Sequence, residues 1–279
     1  MNRFTKLLAS LVFAASSYVP AFAAAPPPEG TRCRGNSVND IMVRVGPLCV
    51  DKYEASVWSG PAGTGVQYPQ GSPRYPATFP ANGNWTEPLY AASVKGVGPS
   101  TFLTWFQAQQ ACALSGKRLL NNAEWQMAAA GTPDPGVHGN GVTECNTNTT
   151  GSIATGSAAH CVSKWGVHDM VGNVLEWVAD WIQGPGNNGS TVSGQFTPLS
   201  LSISTTAYGR DWIGGINDAF HLEAPQTGPG SANATPDAMP AGIVRGGMWS
   251  SGDSGGVFFL DADHTPSSLD NATGFRCAR

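Results

Sequence analysis

Charge is scarce in this chain of 279 residues, where Asp, Glu, Lys and Arg together make up only 12%. No stretch rich in Leu, Ala, Glu and Lys is long enough for a helical bundle. Lys and Arg form no basic patch and the formal charge is −4, which excludes a nucleic-acid partner held by phosphate contacts. Cys-x-x-Cys is missing, and His138, His160, His168, His221 and His264 show no His-x-x-x-His spacing, so the common zinc-ligand patterns are absent. Beyond the first 23 residues no apolar run reaches the roughly 20 residues that a bilayer crossing requires, so no membrane span is expected.

Glycine and proline are abundant instead, at 35 and 21 residues, which demands many ordered loops. The length supports one large domain with a substantial core. Residues 1–23 carry Arg3 and Lys6, an apolar run from Leu7 to about Ala15, and Ala21-Phe22-Ala23 in a small-x-small arrangement. That pattern reads as a secretory signal peptide. Its removal takes the formal charge to −6, because Arg3 and Lys6 leave with it, and implies a secreted or periplasmic product. All six cysteines (33, 49, 112, 145, 161 and 277) lie beyond it. An even count in an exported chain favours disulfides over a metal cluster, with 15 pairings open.

After a Pro-rich extended lead-in at 24–40, the domain is expected to fill 41–279. "IMVRVGPLCVDKYEASVWSG" alternates apolar and polar residues as a half-buried strand or hairpin does. Residues 60–97 read as ordered loop. Thr104-x-x-Gln107 and Asn121-x-x-Glu124 have capping-box spacing before two short helical patterns that stop at Gly116 and Gly131. A strand-like "GNVLEWVADWI" and an irregular stretch at 183–240 precede the tail, Arg245 to Arg279. Two short helices followed by a loop-rich β region specify an α+β fold in one piece.

"GKRLLNNAEWQMAAAG", "GVHDMVGNVLEWVADW" and the closing "RGG…GFRCAR" resemble the sulfatase-modifying-factor family, also called the formylglycine-generating-enzyme domain. The resemblance implies a loop-rich C-type-lectin-like fold with few helices and short antiparallel strands. It also implies a bridge between Cys112 and Cys277. The remaining expected pairs, Cys145–Cys161 and Cys33–Cys49, each close a short local loop.

In the enzymes of this family two cysteines after Arg-Gly-Gly bind copper and oxidise a substrate cysteine. Here those positions hold Ser251 and Gly256. A hydroxyl and a hydrogen cannot replace two thiolates for copper, so no copper and no such oxidation are expected. Carried over residue by residue, the family's structural calcium site falls on Asp169, Gly172, Val174 and Glu176. Two carboxylates plus carbonyl oxygens suit a hard cation; alternatively the two carboxylates cap turns or pair with Arg or Lys. Asp261, Asp263 and His264 lie close together and offer cation binding or acid/base chemistry, against a plain polar strand end. Ser254 in "DSGG" reads as a turn residue. Trp125, Trp177, Trp181 and Trp249 read as core, and Arg245 and Arg276 as structural donors.

The tail is also similar to the C-terminal cassettes of diversity-generating retroelement variable proteins, in the frame "RGGxWxxGxxxGVFxLxxxxxPSxxxxxxGFRCAR". That resemblance implies an exposed ligand-binding patch between the fixed residues, at Ser250, Ser251, Asp253, Ser254, Gly255, Phe259, Asp261, Asp263, His264, Ser268, Leu269, Asp270, Asn271 and Thr273. Between Ser250 and Thr273 there is no Lys, Glu, Gln, Met or Trp, residues that adenine-directed change of an Asn codon cannot reach. The expected function is an exported, non-catalytic binder of a protein or glycan on a cell, phage or host surface. The alternative is a periplasmic enzyme of the family with cysteine-independent chemistry.

Overall fold

The computed structural model describes residues 31, 33, 37, 39–69, 75–182, 213–214 and 241–279, with backbone alone at 182, 213, 214, 241 and 263. The expected signal peptide, most of the lead-in and most of the 183–240 stretch lie outside these residues.

Among the described residues, short apolar strands build three sheets around two α-helices. The alternating segment folds as a hairpin of β1 (Met42–Val45) and β2 (Leu48–Asp51), with Val43 opposite Val50. Segment 60–97 departs from the loop expectation, because two short strands emerge from it. β3 (Ser56–Gly60) is flanked antiparallel by β4 (Thr64–Tyr68) and β5 (Tyr90–Ala92). The Ser100 hydroxyl accepts from the Val57 amide at 2.8 Å and donates to the Tyr68 carbonyl at 2.5 Å, tying β3 to β4 from outside both. No periodicity in a Gly- and Pro-rich stretch reveals such a long-range tie.

Both helices start where the capping signals place them. α1 (Trp105–Leu114) is capped reciprocally by Thr104 and Gln107, and α2 (Asn122–Ala129) by Asn121 and Glu124. Each box satisfies two amides that would otherwise lack partners at the helix start. Between them, β6 (Arg118–Leu119) edges a four-stranded sheet in the order β1-β2-β12-β6, where β12 is Cys277–Ala278. β12 therefore lies inside a sheet that has β1 at its edge.

The central sheet has the order β11-β7-β9-β10-β8, comprising β7 (Leu175–Ile182), β8 (Ile213–Gly214), β9 (Ala241–Arg245), β10 (Leu260–His264) and β11 (Thr273–Phe275). Leu175 and Trp177 of β7 pack with Phe259, Phe275, α1 and Cys277, while Trp125 of α2 packs with Val43, Val178 and Ala278. Trp125 and Trp177 are core residues, as read from the sequence. Trp181 is not: it is 38% exposed and meets Trp105 and Phe106 edge-on.

The disulfides pair as expected: Cys33–Cys49, Cys112–Cys277 and Cys145–Cys161, leaving no free cysteine. Cys112–Cys277 spans 165 residues and ties the end of the chain to α1. By chain entropy a loop of that length is worth about 5 kcal/mol. Three bridges fit an oxidising compartment. Among the described residues no helix is long and apolar enough to cross a membrane.

Candidate functional site

The tail is held at both ends by a buried arginine. Arg245, at the end of β9, donates Nε to the Phe259 carbonyl at 2.6 Å and Nη2 to the Val257 carbonyl at 3.1 Å. Its Nη groups also reach Asn122 and Gln126 of α2, and the guanidinium lies 4.5 Å from the centre of the Trp125 ring. The two following glycines turn the chain at φ +89° and +83°. A Cβ on Gly247 would lie 2.7 Å from the Gly255 Cα, so only glycine fits this crossing.

At the other end Arg276 is fully buried. It donates to both Glu176 oxygens (Nε at 2.9 and 2.7 Å, Nη2 at 2.5 Å) and to the carbonyls of Asp51 and His168. The Trp125 indole adds a third donor to Glu176 at 2.7 Å. Two more carboxyls share this interior. Glu54 accepts from the Val174 amide and the Asn173 side chain, and Asp169 from the Gly156 amide at 2.6 Å. Burial, then the neighbouring carboxylates Asp169 and Glu176, hold Glu54 well above the usual glutamate range. Burial likewise pushes Asp169 up to about 7.

These contacts decide how the calcium set fits. Both Glu176 oxygens are engaged by Arg276, and one also by Trp125, so a cation there would have to displace a guanidinium. Among the described residues no group of three or more His, Cys, Asp and Glu is placed to hold a metal. As arranged, Glu176 is committed to Arg276 and Trp125 and would have to give up those partners to serve as a calcium ligand. Glu176 follows the other reading, a carboxylate paired with arginine, and Asp169 receives a local amide.

Between the arginines the tail surrounds a cavity of about 610 Å³. Ser250, Ser251, Ser254, Phe259, Asp261, His264, Asp270 and Asn271 line it, so eight candidate ligand positions come together. Leu175, Met248, Trp249 and Ala272 complete the wall. Trp249 is therefore cavity lining rather than core. Its backbone is fixed on both sides, the amide donating to Asn173 and the carbonyl accepting from Thr149. The clue legible in sequence was its place just after the Gly-Gly turn, where a large side chain stands at the start of the variable stretch.

The other candidates go elsewhere. Thr273 is buried at 1% exposure because it sits in β11 opposite Leu175, and its hydroxyl donates to Asp270. It does not belong to an exposed patch. Phe259 is only 6% exposed and packs with Trp177 and Phe275, whereas its neighbour Phe258 is 41% exposed. The buried ring forms part of the cavity wall and is not a free anchor. Asp253 accepts from the Val137 amide at 3.1 Å, and the Ser268 hydroxyl lies 3.1 Å from that of Thr265. Leu269 stands 52% exposed outside the cavity. The Asp263 side chain lies outside the described residues.

Asp261 and His264 meet as expected of near neighbours, with Oδ2 3.9 Å from Nδ1. Asp270, which the sequence did not group with them, lies 3.9 Å from the other ring nitrogen. The imidazole thus stands between two carboxylates, its edge against Trp177 at 5.9 Å. Ser251, at one former cysteine position, accepts from the Met248 amide at 2.9 Å. Ser254 donates to the Ser251 carbonyl at 2.6 Å. Gly256, at the other position, is buried, its amide donating to Gly246.

The family described as the sulfatase-modifying factor enzyme 1-like domain matches residues 63–279. The chain belongs to this family. Its C-type-lectin-like α+β scaffold, with two α-helices and mostly antiparallel short strands among the described residues, is the one the family motifs imply. Curated relatives of this sulfatase-modifying-factor domain include the serine/threonine-protein kinase pkn1 of Chlamydia caviae, 27% identical over 195 residues. That match covers 69% of this chain and 25% of the relative, so the chain spans only a quarter of that protein's length. The formylglycine-generating enzyme of Thermomonospora curvata is 35% identical over 101 residues, covering 30% of this chain and 33% of that enzyme. Among solved structures, the Major Tropism Determinant P3c variant aligns at 18% identity and a TM-score of 0.45, covering 90% of this chain and 54% of its own. Treponema denticola variable protein 1 aligns at 16% and 0.45, covering 92% of both chains.

Proposed function

We propose that this protein is an exported, non-catalytic binder that uses the tail cavity to recognise a protein or glycan on a cell, phage or host surface. The observation that carries the reading is the convergence of eight separate tail positions on one cavity, held between two arginines that are buried and bonded to the scaffold. A rigid frame around short, varied side chains is the arrangement that lets a binding surface change without loss of fold. Support for a non-catalytic role comes from the thiols: all six cysteines are bridged, and Ser251 and Gly256 offer no soft ligand pair for copper. The Ser251 and Ser254 hydroxyls are both engaged with backbone groups of their own turn.

The test is an array of glycans and surface proteins probed with wild type and with Ser250→Trp, which fills the cavity mouth. Loss of binding in the variant, with an unchanged thermal melt, is the expected result; equal binding by both refutes the assignment to this cavity. Oxygen uptake with a cysteine peptide tests for the family's copper oxidation and is expected to be nil; uptake overturns the non-catalytic reading. Tail diversification predicts a near-copy of the tail-coding segment, altered mainly at adenines, beside a reverse-transcriptase gene.

A further inference from the structure

Trp249, Ser250, Ser251 and Ser254 form one wall of the cavity. That wall is held by a segment outside the tail, residues 145–149, which supplies no described lining residue and is anchored by the Cys145–Cys161 bridge. The Thr149 amide donates to the Trp249 carbonyl at 2.7 Å, and the Thr147 carbonyl accepts from the Gly252 amide at 2.7 Å. The Asn146 carbonyl accepts from the Asn173 amide at 2.8 Å, and the Asn173 carbonyl in turn accepts from the Trp249 amide.

These ties meet at Thr147, which has no exposed surface. Its hydroxyl donates to the Gly136 carbonyl at 2.5 Å, at the start of a short 3-10 turn, Gly136–His138. That turn is bonded to a second one in the tail, Gly252–Ser254, where Asp253 accepts from the Val137 amide. Two glycines make room for the Thr147 side chain. A Cβ on Gly139 would collide with its hydroxyl, and one on Gly172 would lie 2.8 Å from its methyl. One buried residue thus joins the 136–139 turn, the 172–173 turn and the tail. Ser251 and Ser254 bond through their hydroxyls only to backbone groups of their own turn, so the ties that place this turn come from elsewhere.

We propose that Thr147 is a positioning residue for the ligand surface: it fixes residues 249–254, and with them one cavity wall, without touching a ligand itself. The proposal rests on the ligand-binding reading above and adds to it a control point outside the tail. Ligand-facing side chains keep their geometry only when bonded and packed neighbours hold them. A loosened wall has to be ordered again on binding, so affinity falls although every ligand-facing side chain is unchanged.

Thr147→Val keeps the shape and removes the hydroxyl, while Thr147→Ser keeps the hydroxyl. With 5-fluorotryptophan incorporated and Trp249 assigned by Trp249→Phe, Thr147→Val should shift or broaden the Trp249 fluorine resonance and leave those of the core residues Trp125 and Trp177 in place. Amide hydrogen exchange should quicken about tenfold at Val137, Thr149 and Gly252 and stay unchanged in β7 and β9. The binding probe is the glycan or surface protein of the array that wild type holds most tightly and Ser250→Trp loses. Thr147→Val should weaken it about tenfold, and Thr147→Ser should recover most of the affinity, the fluorine resonance and the protection. Where Thr147→Val is recovered only unfolded, Asn148→Ala carries the same comparison, because it removes an exposed side chain's bond to the Val137 carbonyl at 2.8 Å. An unmoved Trp249 resonance with unchanged exchange overturns the positioning role. So does a wall that loosens while the probe binds as tightly as before, and in that case the ligand-binding reading stands. An array with no member that depends on Ser250 overturns the ligand-binding reading itself, and the positioning role with it.

Discussion

Arg276 and Ser250 belong to the same tail, yet they have opposite relations to the rest of the molecule. Arg276 has no exposed surface and donates to Glu176, Asp51 and His168, groups from three distant parts of the chain. Ser250 is exposed and lines an open cavity. The same division separates Arg245, the Gly-Gly turn and Cys277 on one side from Ser254, Asp261 and Asn271 on the other. Residues that bond to several elements cannot change alone, while residues that face a cavity can. The tail thus combines a fixed rim and an adjustable interior within 35 residues.

The contrast can be broken most forcefully at the rim. Arg276→Met leaves Glu176 buried without its guanidinium, and loss of one partner of such a pair costs about 3–5 kcal/mol; chemical denaturation should show a protein at or below the limit of folding. Opening the long loop comes next: Cys112→Ser with Cys277→Ser should cost about 2–5 kcal/mol, measured the same way and compared with reduced wild type.

The carboxyl beside the rim gives a smaller, pH-dependent effect. Asp169 rises from the ordinary 3.8 to about 7 in the fold, chiefly through burial. The folded state therefore holds a proton that the unfolded chain has released, and this contribution is present below pH 4 and lost as pH rises to about 7. Asp169→Asn should accordingly melt higher than wild type at pH 8, by about 2–4 °C for each kcal/mol, and the gap should shrink by pH 5. A wild-type advantage at pH 8 would mean that the carboxylate form is the one the fold uses. Added calcium should leave the wild-type melt unmoved if Glu176 keeps Arg276.

The smallest expected changes lie in the cavity. Ser250→Ala and Asn271→Ala should alter stability by less than about 0.5 kcal/mol. If either destabilises as much as a rim substitution, the division between rim and interior fails.

Much of the rim was legible in the sequence. Both capping boxes, the β1–β2 hairpin and the family blocks depend on near neighbours or fixed motifs, and the long bridge followed from the family resemblance. Which tail residues face inward was not legible, because strand pairing decides it. Leu260 pairs with Arg245 on one side and Ile213 on the other, and Thr273 with Leu175, and none of these registers is written locally. That is why Phe259 turned inward while Phe258 did not, and why Asp270 joined His264 across a turn. Glu54 escaped notice for a similar reason: it meets Asn173 and Val174 from about 120 positions away.

The position of β12 has a consequence for biosynthesis. Cys277 and Ala278 fill the place between β2 and β6, so those two strands cannot join one sheet until the tail has been synthesised. A premature stop or frameshift anywhere in the tail-coding segment removes that strand, exposes two sheet edges and strands Cys112 as an unpaired thiol. Point changes in the cavity leave it intact. Completion of this sheet and of the Cys112–Cys277 bridge thereby depends on an intact reading frame through the tail.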